Sequence, residues 1–104
     1  MPRADGLARA FRFLGKRWNA VVLGHLSEGA AGFRELSRAI DGISDSVLSD
    51  RLSDLAAGGL IARTVEEGPP VAVSYALTDR GRALMPALEE IARWAEDHLP
   101  RDGC

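Results

Sequence analysis

Thiols are nearly absent: Cys104, the last residue, is the sole cysteine. One thiol excludes an intrachain disulfide and any multi-thiolate zinc site. Histidine is almost as scarce, with only His25 and His98, and no acidic or thiol cluster accompanies either, so the sequence carries no metal signature. Long hydrophobic runs are also missing. The longest uncharged stretches, between Arg17 and Glu28 and between Glu67 and Asp79, fall far short of the ~20 apolar residues that span a bilayer. The opening, Met1 to Gly6, is polar and leads into the arginine-dotted segment Leu7 to Arg17, which has no signal-peptide core. These absences lead to the expectation of a cytoplasmic protein without membrane attachment, cofactor or metal.

What remains is an ordinary globular composition, 46% apolar and 27% charged over 104 residues, enough for a single domain spanning 1–104 with its core about 7–99. A chain of this size hides roughly two-thirds of its extended surface on folding, so burial by a second subunit would add materially to its stability. The formal charge of −2 averages over a gradient. Residues 1–38 hold seven basic against three acidic side chains, residues 39–75 two against six, and residues 76–104 four against six. The basic footing lies at the front of the chain, with isolated arginines beyond it.

Apolar spacing then divides the chain. Leu7, Phe11 and Leu14 recur at helical intervals and predict a short amphipathic helix ending at Gly15. Asn19 is the expected N-cap of a second helix carrying Val21, Val22, Leu23 and Leu26 and closed by Gly29. Phe33, Leu36 and Ile40 mark a third helix that stops before Gly42. Ser44 is a good N-cap for a fourth, with Asp45 in the first turn where the dipole favours an anion. Leu48, Leu52 and Leu55 form its inward stripe, and Gly58 and Gly59 end it. The period then drops from 3.6 to 2. Residues 60–65 read as a strand, 66–70 as a turn, and Val71, Val73, Tyr75 and Leu77 as one face of a returning strand. Thr78 caps a last helix reaching about Leu99, with Leu84, Leu88, Ile91 and Ala95 inward and a mild bend at Pro86. The fold expected is mainly α with a small β-hairpin: a helix-turn-helix over residues 33–58 followed by a wing.

In such a motif the second helix enters the DNA major groove. With Leu48, Leu52 and Leu55 inward, Ser46, Asp50, Ser53 and Ala57 face outward, flanked by Ser49, with Arg51 at the other edge. Short hydroxyl side chains let a helix axis approach base edges and bond bases or phosphates; the alternative is a merely solvated face. Asp45, Asp50 and Asp54 oppose phosphate, although an aspartate can accept from cytosine N4. Arg34 and Arg38, one turn apart, either clamp a phosphate strand or pair with nearby acids. Arg51 and Arg63 are the stronger candidates for backbone contacts. The expected contact set is Arg34, Arg38, Ser44, Asp45, Ser46, Ser49, Arg51, Ser53 and Arg63. The wing tip, Glu66-Glu67-Gly68, carries no base.

The ordered set Leu14-Gly15-Lys16-Arg17-Trp18, Phe33-Arg34-Glu35-Leu36 and Gly42-Ile43-Ser44 with Leu48, Arg51, Leu52 and Leu55 resembles the HxlR-type winged-helix transcriptional regulators of bacteria. So do Gly59-Leu60-Ile61 with Arg63, Pro69-Pro70, Ser74-Tyr75, Leu77-Thr78 with Gly81, and Trp94. The match runs over about residues 7–99. The resemblance implies a homodimer on operator DNA, joined through its first and last helices. Two departures stand out. The family's sensor members resemble one another in a reactive cysteine near the N-terminus, and residues 1–18 hold none. A basic residue is common early in the family's recognition helix, where this chain has Ser46.

The apolar inventory supports a dimer independently. Leu7, Phe11 and Leu14 with Phe13 and Trp18, together with Met85, Leu88, Ala92 and Trp94, exceed what one small helical core can cover, and an exposed patch of that kind marks an interface. Its aromatics serve as anchors, or enclose a small-molecule effector at the dimer interface. Two readings of function follow: a dimeric regulator recognising a pseudo-palindromic operator through residues 44–57 and the wing 60–78, or a winged-helix module that binds protein with little or no DNA binding. An enzyme finds no support, because no nucleophile, base and orienting group converge.

Overall fold

The computed structural model describes residues 3–101. Five helices and one hairpin follow in the order α1 (Ala4–Leu14), α2 (Asn19–Leu26), α3 (Phe33–Ala39), α4 (Asp45–Ala57), β1 (Ile61–Glu66), β2 (Ala72–Leu77) and α5 (Asp79–His98). One apolar cluster joins them. Val22, Leu23 and Leu26 of α2 meet Leu36 of α3, Ile40, the Leu48–Leu52–Leu55 stripe of α4, and Leu60, Ile61 and Leu77 at the base of the hairpin. The stripe at i, i+4, i+7 is buried as its spacing requires.

Two caps fall where the sequence puts them. Ser44 Oγ accepts from Val47 N (3.1 Å) and Thr78 Oγ1 accepts from Gly81 N (3.2 Å), each relieving an orphan donor of a first turn. The entry to α2 differs from expectation. Trp18, at φ 85°, occupies the cap position, and Asn19 is the first helical residue, fully buried. Its Nδ2 donates to the Phe13 carbonyl at 2.8 Å, tying α2 to the end of α1. Helix α2 also stops at Leu26, ahead of Gly29. A turn through Gly42, at φ 88°, links α3 to α4. Trp18 backs this turn, its ring edge 3.6 Å from where a Gly42 Cβ would lie.

Strands β1 and β2 pair antiparallel, Ile61 opposite Leu77 through Glu66 opposite Ala72. Ala31 adds a third partner, exchanging both backbone hydrogen bonds with Tyr75 (2.9 and 2.8 Å). A single bridged residue has no alternation to betray it in the sequence. At the other end of β2 the chain is knotted to the end of α4. Thr78 Oγ1 donates to the Gly59 carbonyl (2.6 Å), Arg80 Nη1 donates to the Gly58 carbonyl (3.0 Å), and Thr78 N donates to the Leu60 carbonyl (3.1 Å). Gly81 lies so close that a Cβ there would stand 2.2 Å from the Leu60 oxygen.

Helix α5 runs on through Pro86. Leu84 and Leu88 pack on the core, but Ile91, expected inward, is 47% exposed. It lies instead along an open groove beside Val21 and Gly24 of α2. No described helix is long and apolar enough to cross a membrane.

The junction at Gly81 generates a prediction. Gly81→Ala must push α5 from Leu60, and is expected to cost at least about 2 kcal/mol. Urea denaturation measures it, and a loss below about 0.5 kcal/mol, typical of inert surface changes, would mean that α5 and Leu60 do not touch as described.

Candidate nucleic-acid interface

Helix α4 shows solvent a ridge made of Ser46, Ser49, Asp50, Ser53 and Ala57, all exposed. Among the described residues nothing covers it. With the buried leucine stripe on the opposite side, α4 is held by its apolar back and leaves a face of small side chains free. The cap at Ser44 places the positive end of the helix dipole at the start of this ridge.

Two of the three α4 carboxylates are occupied within the protein. Asp45 accepts from Ser37 Oγ at 2.9 Å and from Arg34 Nη1 at 3.2 Å, which locks the first turn of α4 to α3. Asp54 Oδ2 receives Lys16 Nζ and Arg51 Nη2, each at 3.0 Å. The Lys16 hydrogen bond, backed by the two positive charges, holds the Asp54 carboxyl below the usual carboxylate range against some desolvation. Arg51 apart, which is one turn from Asp54 on the same helix, these partners lie 8, 11 and 38 residues away, beyond any spacing rule, so the sequence offers no sign of Lys16 or Ser37 as helix-fixing residues.

The expected contact residues therefore separate into groups. Ser46, Ser49 and Ser53 stand together on the open ridge. Ser44 is engaged as a cap, and Asp45 turns back toward α3 instead of outward. Arg51 is tied to Asp54, its side chain only 19% exposed, and its Nε is buried without a hydrogen-bond partner among the described residues. It does not project as a free cation. Arg34 reaches Asp45, the surface-acid pairing anticipated as its alternative. Arg38 on α3 and Arg63 on β1 are exposed, and among the described residues neither has a carboxylate within ion-pair distance. Arg63 stands opposite Tyr75 in the hairpin register.

The expected interface residues divide likewise. Leu7, Phe11 and Trp94 are 49%, 50% and 55% exposed and Ala92 is exposed, whereas Leu14, Met85 and Leu88 are half-buried against their own core. No residue of α1 is buried. Between α2 and α5 runs an open apolar groove of about 420 Å³ lined by Val21, Gly24, Met85, Leu88, Ile91 and Ala92 among others. His25 is half-buried, His98 lies in the last turn of α5 with its ring 5.8 Å from that of Trp94, and Cys104 is outside the described residues. Among the described residues no three histidine, cysteine or acidic side chains gather as a metal would need.

The HxlR-like helix-turn-helix family profile matches residues 13–103. The chain belongs to the HxlR-like helix-turn-helix family. It is 40% identical over 91 residues to the Uncharacterized HTH-type transcriptional regulator YvaP of Bacillus subtilis, covering 88% of this chain and 84% of that protein. It is 38% identical to the HTH-type transcriptional regulator YodB of the same organism, over 84% of this chain and 78% of YodB. The reduced form of B. subtilis YodB superposes with a TM-score of 0.81 at 35% identity, covering 90% of this chain and 92% of that one. Membership of the HxlR-like family makes the chain a DNA-binding helix-turn-helix transcriptional regulator and not an enzyme.

The Asp54 cluster generates a pH prediction. A carboxyl held down in the folded state contributes stability that is complete above its unfolded pKa, about 3.9, and is lost as pH falls through the lower folded value. Acid unfolding followed by circular dichroism is expected to be shallower in Asp54→Asn than in the unaltered chain below about pH 4. Superimposable acid limbs would rule out the Lys16–Asp54–Arg51 arrangement.

Proposed function

We propose that two copies of the chain pair through α1 and α5, and that the pair binds a pseudo-palindromic operator with one α4 in each of two successive major grooves, about one helical turn apart. The observation that carries this reading is the uncovered ridge of Ser46, Ser49 and Ser53 on a capped helix whose other side is fixed by buried leucines. Small side chains let the helix sit deep, and hydroxyls bond base edges or phosphates. Arg38 and Arg63 supply backbone contacts, with Arg34 and Arg51 contributing what their aspartate partners leave free, while Ser44 caps the helix start and Asp45 is held back by Arg34 and Ser37. The wing, acidic at its tip, adds shape more than charge. A cytoplasmic location fits a protein that works on DNA.

The pairing rests on Leu7, Phe11, Ile91 and Trp94, large apolar side chains about half exposed on two helices that a second copy would cover. The α2–α5 groove, its volume within the range of ligand sites, is where a small apolar effector would sit at the edge of that interface.

Gel shifts with fragments flanking the chain's own gene test the function directly. A folded dimer that shifts none of them at low salt would replace the DNA reading with that of a protein-binding module. In fluorescence-anisotropy titrations, Arg38→Ala and Arg63→Ala are each expected to weaken binding to every duplex and to lower the salt slope by about one; an unchanged slope removes that arginine from the backbone contacts. Phe11→Asp is expected to yield a monomer by light scattering and to weaken operator binding at least about tenfold, because two linked half-sites act as one. A Phe11→Asp dimer of undiminished affinity would move the interface away from α1.

A further inference from the structure

Of the three carboxylates on α4, Asp50 alone is unspoken for. Asp45 is bonded to Ser37 and Arg34, and Asp54 to Lys16 and Arg51. Asp50 is exposed, and among the described residues no basic group lies within ion-pair distance of it. Its neighbours along the helix surface explain why: the positions three and four residues away are Ser46, Val47, Ser53 and Asp54, none of them a cation able to reach it. A free carboxylate in the middle of the ridge is the one feature there that works against a polyanion.

We propose that Asp50 is a specificity-determining residue, accepting a hydrogen bond from the N4 amino group of a cytosine at one symmetric position in each half-site; this rests on the DNA-binding reading of α4. The chemistry singles out cytosine. In the major groove guanine shows two acceptors, N7 and O6, and thymine shows the O4 acceptor, so each repels a carboxylate. Adenine offers its N6 donor beside the N7 acceptor, which sets a lone pair against the second carboxylate oxygen. Cytosine offers the N4 donor with no acceptor beside it on the same base. A carboxylate also has no attraction to phosphate, so any duplex that lacks the cytosine meets only its repulsion. The short reach of an aspartate requires a close helix, and the flanking Ser46, Ser49 and Ser53 permit one.

The test uses the full-length chain and duplexes selected by it from a randomised pool, followed by anisotropy competition among four duplexes that differ at the one pair. The unaltered protein is expected to favour cytosine there about tenfold or more. Asp50→Ala is expected to flatten that preference, and Asp50→Asn to move it to adenine, whose N6 and N7 an amide engages together. Both substitutions are at the surface, and thermal melts confirm folding. If Asp50→Ala instead tightens binding equally to all four duplexes, the carboxylate is a general repeller and the selector role is overturned while DNA binding stands. If the unaltered chain enriches no sequence from the pool, the reading of α4 falls and the selector role with it.

Discussion

The presentation of α4 depends on one hydroxyl. Thr78 Oγ1 accepts the Gly81 amide and donates to the Gly59 carbonyl, so a single atom caps α5 and clasps the turn that ends α4. Gly59 reaches that turn at φ 77°, a conformation that glycine enters without steric cost, and Gly81 lets α5 come against Leu60 without a Cβ between them. Hairpin, recognition helix and last helix thus meet at one knot. Moving any of them requires breaking short, part-buried hydrogen bonds, so the wing and α4 are held at a fixed angle before DNA arrives.

Charge is used in the same economical way. An acidic helix is a poor choice for approaching phosphate, and here Asp45 and Asp54 do not act as bare anions. Asp45 is met by Arg34 and Ser37 of α3, and Asp54 by Lys16 and by Arg51 of its own helix; the first fixes α4 to α3, and the Lys16 bond fixes it to the loop that ends α1. Arg34 and Arg51 are thereby withdrawn from any simple role as phosphate clamps, and in the proposed complex the grip on the backbone falls to cations such as Arg38 and Arg63. A surface with few phosphate contacts binds less tightly and with a weaker salt dependence than a basic one, and leans more on shape and base contacts for its selectivity.

Much of this was legible in the sequence because it is local. The Ser44 and Thr78 caps, the leucine stripe of α4 and the change of period at residue 60 are each set within a few residues, and all stand in the structure. The outward serines followed from the stripe by helical geometry alone. What was not legible is what long-range packing decides. Asn19 looks like a cap but is buried, because Trp18 takes the left-handed turn ahead of it. Ala31 joins the sheet through backbone atoms that no side-chain pattern announces. Asp45 is met from α3 and Asp54 by Lys16 from the loop after α1 as well as by Arg51 one turn away on α4, so position on the helix alone overrated Arg51 as a free cation. Ile91 continues the apolar spacing of Leu84 and Leu88, yet it lies on the open groove beside α2 and is 47% exposed, and periodicity alone cannot tell a residue facing the core from one facing another surface.

That last ambiguity bears on α1 most of all. The helix buries no residue completely, and its hold on the rest of the chain lies at its C-terminal end: Leu14 packed on the core, the Lys16–Asp54 pair, the Asn19 bond to the Phe13 carbonyl, and the Phe13 ring seated over Gly58, where a Cβ would stand 2.5 Å from the ring. An exposed ion pair contributes little on its own, so Leu14 on the core, the Phe13 contact and the buried Asn19 amide do most of the anchoring. The N-terminal two turns, with Leu7 and Phe11 on one face, are supported by nothing in the described chain. A short amphipathic helix in that position is marginal by itself, and its apolar face gains most by meeting another like it. Because the anchored end of α1 touches the C-terminal half of α4 at Gly58 and Asp54, whatever fixes the direction of α1 also bears on the tilt of the recognition helix. In the proposed dimer, assembly and DNA geometry become one mechanical problem, centred on the Phe13–Gly58 contact.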